Sequence, residues 1–529
     1  MLNADLHLSG QPLLTALKGD FAGLDTCYGL ANGLMSRRVY FDSAATCLPL
    51  NTARRAAEEF LRHYANTHSS VHFSARISNG IYRWAHERIL SFLGANTDYY
   101  TCIFIGSGST AGFNRIAHLL HSIRPQRDTV LVSLMEHHSN DLPHRRLHQQ
   151  VLQIPIKNES SGPICLESLR KLLSTERDRV NYVAVTAASN VTGVCNPITE
   201  IAALAHEYGA YVVVDASQAI AHRKFCLSAD GCEQVDAFIF SGHKLYAPSS
   251  PGVLVCRKSL LEQSEPYEIG GGTVANVYAD HYELLHTYPE REEAGTPNIV
   301  GAVTLAFTVE LLERIGMEEI EKEERLRFAR LVKGLASVHG VRIYGIDGVP
   351  LEERTPTLVL AMQEMDHGLL AAVLNDYYNI AVRNQCFCAH PYVRELIKHD
   401  LWSLPEDILD EETKLLAKQG LVRISLGLYN TDADIDYLLG ALLEISKRRE
   451  FYCANYQLQS DGSYQHREFA PNNTDLFNPM QALDRAIINR VQQGQPVASF
   501  IPSHHAAQND LGSPASLIQK ITNNSEVLL

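Results

Sequence analysis

Two apolar runs near the middle of the chain each end in side chains that can do chemistry. The run at 211–214, Tyr-Val-Val-Val, leads into Asp215, and the run at 237–240, Ala-Phe-Ile-Phe, leads into a Ser-Gly-His-Lys sequence that ends at Lys244. Continuous apolar runs of this length are typical of strands buried on both faces of a sheet. In open α/β folds, ligands bind outside the carboxyl ends of such strands. The pattern therefore predicts a carboxylate and an amine together at one ligand-binding edge.

A carboxylate and a lysine so placed suit pyridoxal phosphate (PLP), whose aldehyde a lysine holds as a Schiff base while an acid keeps the pyridine nitrogen protonated. Taken singly, a strand-end aspartate is more often a cap or turn residue, and a lysine is more often solvated. An ordered set of five polar residues makes coincidence a poor explanation. These residues are Asp215, Gln218, Ser241, His243 and Lys244.

The Asp-x-x-Gln strand end followed by Ser-Gly-His-Lys resembles the class V, fold-type I, PLP-dependent aminotransferase family, and most closely its group II cysteine desulfurase and selenocysteine lyase members. The resemblance implies an α/β fold with a mostly parallel seven-stranded sheet in a large domain, and a smaller α+β domain. It also implies that Lys244 carries the cofactor, that Asp215 faces the ring nitrogen and that Gln218 faces the ring oxygen. Ser241 and His243 would help to hold the phosphate.

Size and composition place the chain among large, ordinary globular proteins. Its 529 residues predict two or three structural units, and 45% apolar with 20% charged residues is usual for such proteins. A formal charge of −14 argues against a nucleic-acid or anionic-membrane partner. No apolar run reaches the roughly 18 residues of a membrane span, and the N-terminus lacks the pattern of a signal peptide. Eleven cysteines without regular spacing favour a reducing cytoplasm.

A Gly/Ser-rich turn at 106–110 joins a predicted strand at 102–105 to an amphipathic helix that runs to about residue 123. Such a turn presents free backbone N–H groups and the helix dipole to an anion, although an ordinary N-capped turn has the same pattern. In the family that the chain resembles, the matching turn binds the PLP phosphate. The resemblance therefore assigns Ser109 and Thr110 to the phosphate.

Two further strand ends carry an imidazole and an amide. A strand at 129–133 leads to His137 and His138, and a strand at 182–185 leads to Asn190. By residue type alone, these histidines could be partly exposed polar residues, and Asn190 could be a turn residue beside Gly193. The resemblance implies that His137 stacks on the cofactor ring and serves as an acid or base, with His138 as the adjacent candidate. It also implies that Asn190 binds the cofactor or the substrate carboxylate.

Two more segments match family motifs. The segment 39–46 contains a short strand and small residues, and the resemblance places the backbone of Ala44 near the substrate. The Gly-rich stretch at 270–272 and the sequence Glu-Ala-Gly-Thr-Pro-Asn at 293–298 occur in the order found in relatives. In relatives the threonine of the second motif, here Thr296, reaches the phosphate of the neighbouring subunit. The resemblance thus implies a homodimer, although by residue type both segments are simply Gly-rich loops.

The sequence Arg-Asn-Gln-Cys-Phe-Cys-Ala-His-Pro at 383–391 bears on the reaction. In group II desulfurases an arginine is followed by a Cys-Ala-x-Pro loop whose cysteine takes sulfur from the substrate, and Cys388 matches that position. A nucleophilic thiol must be accessible and ionised. Two alternatives remain: Cys386 and Cys388 could be buried apolar fillers, or they could be part of a metal site, for which no complete ligand set stands nearby. Cys386 has no family counterpart and could also resolve or relay a persulfide.

Arg423, in a predicted strand at 422–426, matches the family arginine that binds the substrate carboxylate. A planar guanidinium fork suits a carboxylate, and a solvent-exposed strand arginine is the alternative. The segment between Cys388 and this strand is longer than in group II relatives. It contains a helix-like acidic stretch from Leu404 to Leu416, which could form a lid or alter the substrate.

The predicted organisation has four parts, and the resemblance covers about residues 39–448 of the chain. Residues 1–50 form an N-terminal segment that joins the small domain, and 51–300 form the large PLP-binding domain. Residues 301–448 form the small α+β domain, with strands near 357–362 and 380–383 and helices near 368–377 and 432–447. Residues 449–529 form a polar C-terminal extension with one helix near 480–492.

The expected function is a homodimeric cysteine desulfurase that converts L-cysteine, or a related sulfur or selenium amino acid, to alanine and leaves a persulfide on Cys388. A sulfur-acceptor protein is a possible partner. One alternative is another class V reaction on an amino acid: a carbon–sulfur lyase, an epimerase or a decarboxylase. Another is a PLP-fold protein without turnover that serves as a scaffold or sulfur-carrier partner, because a fold alone does not define a substrate.

Overall fold

The computed structural model describes residues 8–158, 161–227, 235–398 and 420–492. The chain divides into two compact units, Met1–Ala470 and Pro471–Leu529. The acidic stretch from Leu404 to Leu416 lies outside the described residues. Among the helices of the described ranges, none is long and apolar enough to cross a membrane.

The described strands, labelled in chain order, are β1 Cys27–Gly29, β2 Met35–Arg37, β3 Val39–Tyr40, β4 Tyr100–Ile105, β5 Thr129–Ser133, β6 Gln150–Ile154, β7 Val180–Thr186, β8 Tyr211–Asp215, β9 Ala237–Ser241, β10 Gly252–Arg257, β11 Val274–Val277, β12 Tyr282–Leu284, β13 Val341–Tyr344, β14 Thr357–Met362, β15 Ile380–Ala381, β16 Arg383–Gln385, β17 Leu421–Ser425, β18 Tyr456–Leu458 and β19 Tyr464–His466.

The described α-helices are α1 Gly10–Leu17, α2 Asn51–Phe60, α3 Phe73–Phe92, α4 Gly108–Ile123, α5 Leu142–Leu147, α6 Leu166–Thr175, α7 Ile198–Glu207, α8 Lys258–Leu261, α9 Ile299–Ile315, α10 Met317–Leu335, α11 His367–Tyr378, α12 His390–Ile397, α13 Asp432–Lys447, α14 Arg449–Ala454, α15 Asn473–Leu476 and α16 Pro479–Gln492.

Seven strands form the central sheet, in the order β4-β10-β9-β8-β7-β5-β6. Strands β5 to β9 pair in parallel, and β10 pairs antiparallel with both β4 and β9. The apolar runs are continuous because both faces of the sheet are covered: Val212 and Val214 lie in one core cluster, and Val213 lies in the cluster on the other face. The predicted mostly parallel seven-stranded sheet is confirmed.

A four-stranded antiparallel sheet, in the order β13-β14-β17-β16, has its own buried core together with α10, α11 and α13. The strand predicted near 380–383 is two short strands. The first, β15, pairs in parallel with β3 of the N-terminal segment, and the second, β16, joins the four-stranded sheet. Val382 is the residue between the two strands, where the chain changes its pairing partner. The predicted domain boundaries stay a prediction.

Two elements follow the second core. Helix α14 and the hairpin β18–β19 pack against α11, where the Tyr456 hydroxyl donates to Asp376 Oδ2 at 2.9 Å and Tyr377 Oη lies 2.9 Å from His466 Nε2. In the second compact unit, α16 spans Pro479–Gln492, which confirms the helix predicted near 480–492.

Candidate active site

The carboxyl ends of β8 and β9 place Asp215 and Lys244 at the same edge of the central sheet. Asp215 is the last residue of β8, and Lys244 ends a short 3₁₀ turn, Gly242–Lys244, that follows β9 directly. Burial raises the pKa of Asp215, and the ammonium of Lys244 is the largest influence that opposes it. Burial lowers the pKa of Lys244, and the Asp215 carboxylate is the largest influence that opposes it. The predicted acid and amine therefore lie within electrostatic reach of each other.

The N-terminus of α4 meets the end of β9. The Ser109 N–H donates to Ser241 Oγ at 2.8 Å, and the Ser241 hydroxyl donates to Ser109 Oγ at 3.0 Å. Gly108 has φ +60°, and a Cβ there would lie 2.9 Å from Ser241 Oγ, so a side chain at this position would crowd the junction. Hydroxyls and amide N–H groups at a helix start suit an anion.

Two more predicted phosphate residues lie beside this junction. The Thr110 and Ser139 hydroxyls are 2.7 Å apart, which links α4 to the turn that carries the candidate histidines. His243 Nδ1 lies 3.2 Å from the Thr46 hydroxyl, and burial lowers the pKa of His243 to about 4. His243 is therefore a neutral imidazole near pH 7.

His137 and His138 face different surroundings. The Ser139 N–H donates to His137 Nδ1 at 3.1 Å, so neutral His137 carries its proton on Nε2. Burial lowers the pKa of His137 to about 3, and Lys244 is the largest charge that adds to this shift. The His138 ring instead stacks on His390, with centroids 5.0 Å apart and planes at 11°. The geometry thus favours His137 over His138 as the imidazole that faces the Lys244 amine.

Arg423 lies in the interior, with only 3% of its side chain exposed, so the alternative of a solvent-exposed strand arginine is wrong. Its guanidinium donates to Asp42 Oδ1 at 3.1 Å and to the Asn190 carbonyl at 3.0 Å. Its Nε–H is buried and has no hydrogen-bond partner among the described residues. A buried cation with one donor unused can accept an anionic ligand.

The 39–46 segment joins the two sheets at this place. The Ala44 N–H donates to Ser425 Oγ at 2.9 Å, next to Arg423 on β17. The Gln218 amide donates to the Ala44 carbonyl at 2.8 Å. The structure therefore brings Ala44, Gln218 and Arg423 to the same region, as the sequence predicts.

Cys386 and Cys388 have opposite environments. Cys386 is 5% exposed, packs in an apolar cluster, and has its thiol pKa raised to about 11 by burial, whereas Cys388 is exposed. The buried-filler alternative thus describes Cys386 and fails for Cys388. Within the described ranges, no group of three or more His, Cys, Asp and Glu side chains could hold a metal ion.

The tight turn Cys386–Ala389, hereafter the nucleophile turn, touches the candidate site through its backbone. The Asn190 amide donates to the Phe387 carbonyl at 2.7 Å, and the His138 N–H donates to the Cys388 carbonyl at 2.8 Å. The alternative of Asn190 as a simple turn residue does not account for this contact. Cys388 also acts electrostatically on both Lys244 and Arg423.

Thr296 is the predicted site residue that has no described contact with this cluster. It is exposed, and its hydroxyl accepts a hydrogen bond from the Asn66 amide at 3.1 Å. His68 Nε2 lies 2.9 Å from the Gly295 carbonyl, so the 66–68 and 295–296 segments form one exposed surface. The loop is anchored by Glu293, whose carboxylate accepts hydrogen bonds from the Tyr82 hydroxyl and the Phe104 N–H.

A buried carboxylate was missed by sequence reasoning. Glu136 accepts hydrogen bonds from the Ser133 hydroxyl, the Asn140 amide (2.6 Å) and the Thr186 N–H (2.8 Å), and burial raises its pKa to about 8. The side-chain oxygen of Asn140 lies 3.1 Å from His144 Nε2, which extends these contacts into a chain of hydrogen bonds. The only local signal was a glutamate and an asparagine four residues apart after a strand end. Ser133 and Asn140 are local to Glu136, whereas the third partner, Thr186, comes from β7.

The chain of hydrogen bonds continues from His144 Nδ1 to the Tyr182 hydroxyl at 2.8 Å, and from that hydroxyl to His148 Nε2 at 3.2 Å. Because the Asn140 oxygen can only accept, His144 carries its proton on Nε2 and accepts from Tyr182 at Nδ1. The Tyr182 hydroxyl, His144 and Asn140 therefore each donate in the direction of Glu136. This polarised chain fixes the turn that follows β5 and carries His137.

The sequence model of the class V aminotransferase family matches residues 39–438 of the chain. The chain belongs to the class V aminotransferase family. A cysteine desulfurase from Cronobacter sakazakii is 31% identical over 418 residues, which is 77% of this chain and 93% of that protein. A probable cysteine desulfurase from Vibrio cholerae is 31% identical over 435 residues, or 81% of this chain and 97% of that protein.

Solved structures agree with this class V assignment. The apo cysteine desulfurase from Thermococcus onnurineus superposes with a TM-score of 0.67 at 29% identity, over 78% of this chain and 95% of that one. The cysteine desulfurase CsdA from Escherichia coli superposes with a TM-score of 0.66 at 26% identity, over 82% and 98%. The fold-type I prediction is therefore confirmed.

Proposed function

We propose that this class V protein is a PLP-dependent cysteine desulfurase that converts L-cysteine to L-alanine and keeps the sulfur as a persulfide on Cys388. One observation supports the reaction most directly. The exposed thiol of Cys388 lies within electrostatic reach of two buried groups: Lys244, whose pKa is lowered, and Arg423, whose Nε–H has no hydrogen-bond partner among the described residues. Nucleophile, amine and carboxylate receptor come from three separate parts of the chain. The relatives that match most of the chain carry the desulfurase name.

The residues present fit PLP. The 16-residue helix α4 starts at Gly108, where a side chain would crowd Ser241, and Ser109 and Ser241 join there in a cradle of hydroxyl and N–H donors. Lys244 is an amine whose lowered pKa favours the neutral, condensing form, and Asp215 offers a carboxylate to a pyridinium. When bound, PLP supplies an electron-accepting ring that lowers the barrier to breaking bonds at the substrate Cα.

Each residue has a defined task in this proposal. Arg423, with its unused Nε–H, binds the substrate carboxylate, next to the backbone of Ala44 and to Asn190. Lys244 takes the Cα proton at Nζ, which a lowered pKa makes possible near neutral pH. Neutral His137, with its proton on Nε2, would stack on the cofactor ring and donate that proton. Ser109, Thr110, Ser241 and His243 would hold the phosphate, and Gln218 would face the ring oxygen.

The sulfur step balances without an external oxidant. The Cys388 thiolate attacks the substrate sulfur, a sulfur–sulfur bond forms, and the substrate Cβ–S bond breaks. The electron pair of that bond stays on the former Cβ, which takes up one proton, equivalent to the one that the Cys388 thiol lost on ionising, and becomes the methyl group of alanine. The sum is cysteine plus the Cys388 thiol giving alanine plus the Cys388 persulfide. An acceptor thiol, in a partner protein or a small molecule, then removes the outer sulfur.

We further propose that the active form is a homodimer in which Thr296 reaches the partner's phosphate site. Thr296 is exposed, and strongly exposed apolar side chains lie on neighbouring segments: Val71 is 81% exposed, Phe73 79% and Val277 70%. Large exposed apolar patches mark interaction surfaces. The test mixes two inactive variants, Lys244→Ala and Thr296→Asp. A dimer with Thr296 acting in trans regains activity on mixing, because one site is then intact, and a site built within one chain does not.

A reducing compartment, the cytoplasm, suits this chemistry, because Cys388 must be kept as a thiol to attack the substrate sulfur. The deciding experiment for the function incubates the holoenzyme with L-cysteine and measures alanine, sulfide and the mass of the Cys388 peptide. We expect one added sulfur atom on Cys388 and loss of alanine formation in Cys388→Ala. Cys386→Ala is the matched control and keeps both signals. Pyruvate formation that survives in Cys388→Ala would show a carbon–sulfur lyase instead.

A further inference from the structure

The backbone of the nucleophile turn has a conformation that its own residues disfavour. The Ala389 N–H donates to the Cys386 carbonyl at 2.8 Å, and the central residues Phe387 and Cys388 have φ of 53° and 56°. The left-handed region costs an L-residue about 1–2 kcal/mol. Such conformations persist where surrounding structure holds them. Contacts from outside the turn must therefore maintain it.

Two donors from the central sheet bind the two central carbonyls of the turn. His138, which follows β5, donates its N–H to the Cys388 carbonyl at 2.8 Å, and Asn190, which follows β7, donates its amide to the Phe387 carbonyl at 2.7 Å. The Arg423 guanidinium covers the Phe387 ring at 4.9 Å. The turn is thus fastened to the edge of the sheet that carries the candidate site.

His390 completes this clamp. It begins α12, two residues after Cys388, and its Nδ1 lies 3.1 Å from His138 Nε2 while the two rings stack at 11°. The hydrogen bond and the stack fix the His138 ring. Because the same residue supplies the N–H to Cys388, the contact also fixes that donor.

We propose that His138, His390 and Asn190 are positioning residues that hold the nucleophile turn so that Cys388 meets the sulfur of a substrate bound at Arg423 and Lys244. This rests on the proposed function and deepens it, because it gives His138 and His390 a task and adds one to Asn190. Cys388 remains the catalytic residue, and the three others act through it. A displacement of about 1 Å at a reacting atom can lower a rate about 100-fold.

The first test uses the His390→Phe holoenzyme, in which an aromatic ring still stacks on His138 but the ring nitrogens are gone. We expect alanine formation from cysteine to fall at least about tenfold. Exchange of the alanine Cα hydrogen with deuterated water needs Lys244 but not Cys388, so it should stay at the wild-type rate. Hydrogen exchange at the His138 amide should become faster. Equal loss of both reactions, or an unchanged His138 amide, would overturn the proposal.

The second test compares two isosteric changes. Asn190→Asp removes the amide donor and places a carboxylate oxygen against the Phe387 carbonyl, so exchange at the His138 amide should rise. Asn181→Asp is the control, since Asn181 is also a buried amide that donates to a carbonyl, that of Leu120 at 2.9 Å, outside the turn. Similar exchange in both variants contradicts the clamp.

These readouts separate the two levels of the argument. If Cys388→Ala forms alanine normally, the proposed function fails whatever the exchange data show. If Cys388→Ala is inactive but His390→Phe transfers sulfur at the wild-type rate, the function stands and the clamp is wrong.

Discussion

The two halves of the candidate site are built differently. Asp215 ends a regular, paired strand and Lys244 follows one directly, and burial is the largest influence that shifts their pKa values in opposite senses. The nucleophile turn consists of left-handed residues held by contacts from other elements. Regular structure places the groups proposed to hold the cofactor, and an imposed conformation presents the thiol proposed as nucleophile. We therefore expect substitutions at the strand ends and substitutions near the nucleophile turn to have different effects.

The largest expected effect on activity comes from changing a residue at the strand ends, Lys244. Lys244→Ala removes the amine proposed to accept the Cα proton, so alanine formation should fall by about 100- to 10,000-fold. Both alanine formation and borohydride trapping of the cofactor on the residue 244 peptide measure this. Lys224→Ala is the control, because that lysine forms only an exposed ion pair with Glu318. A trapped cofactor at position 244 in the alanine variant is incompatible with the site as described.

Next in size is the carboxylate receptor, which lies between the two halves. Arg423→Lys keeps the charge but loses the fork, so the KM for cysteine should rise about tenfold to 100-fold, as loss of about 1.5–3 kcal/mol of charged hydrogen bonding implies. The change in kcat should be smaller. Arg342→Lys, on an exposed position of β13, is the comparison variant. A KM equal to the wild-type value would remove Arg423 from substrate binding.

A smaller effect is the pH dependence of stability, which we expect from His144 on the central-sheet side of the site. Burial lowers the pKa of His144 to about 3, whereas an unfolded histidine titrates near 6.5. Between these values the unfolded chain binds one more proton, so stability is present above about pH 6.5 and is lost as the pH falls. From pH 7.5 to 5.5 the cost is about 1 kcal/mol. In His144→Gln this part of the pH dependence should disappear in urea unfolding. An unchanged slope argues against a neutral His144.

The smallest effect compares the two regions directly with one chemical change. Gln385, at the entrance to the nucleophile turn, has φ 83°, whereas Gln153 is an exposed residue inside β6. Glycine adopts positive φ without cost, so Gln385→Gly should stabilise the protein by up to about 1 kcal/mol. Gln153→Gly should destabilise it by about 0.5–1 kcal/mol. If the two variants change the thermal unfolding midpoint in the same direction, the backbone at Gln385 is not strained.

The short buried strands can be predicted from the sequence because their apolar pattern is local. Runs such as 211–214 and 237–240 have no polar interruption, and only a strand covered on both faces tolerates that. Motif order then placed Asp215, Lys244, Ser109 and Arg423 at strand ends or turns, and the structure brings them to one region. The split of the predicted strand near 380–383 was missed, since pairing partners are not written in a short segment.

Local sequence is enough to predict which side chains stand at the ends of the central strands, because strand periodicity and turn residues act over a few positions. Tertiary structure alone decided that His138 would meet His390, 252 residues away, and that Glu136 would be buried beneath the His137 turn. It also imposed the left-handed nucleophile turn, which its own residues disfavour. Contacts between distant segments form only when the sheets pack together, and their energies, not local preference, set these conformations.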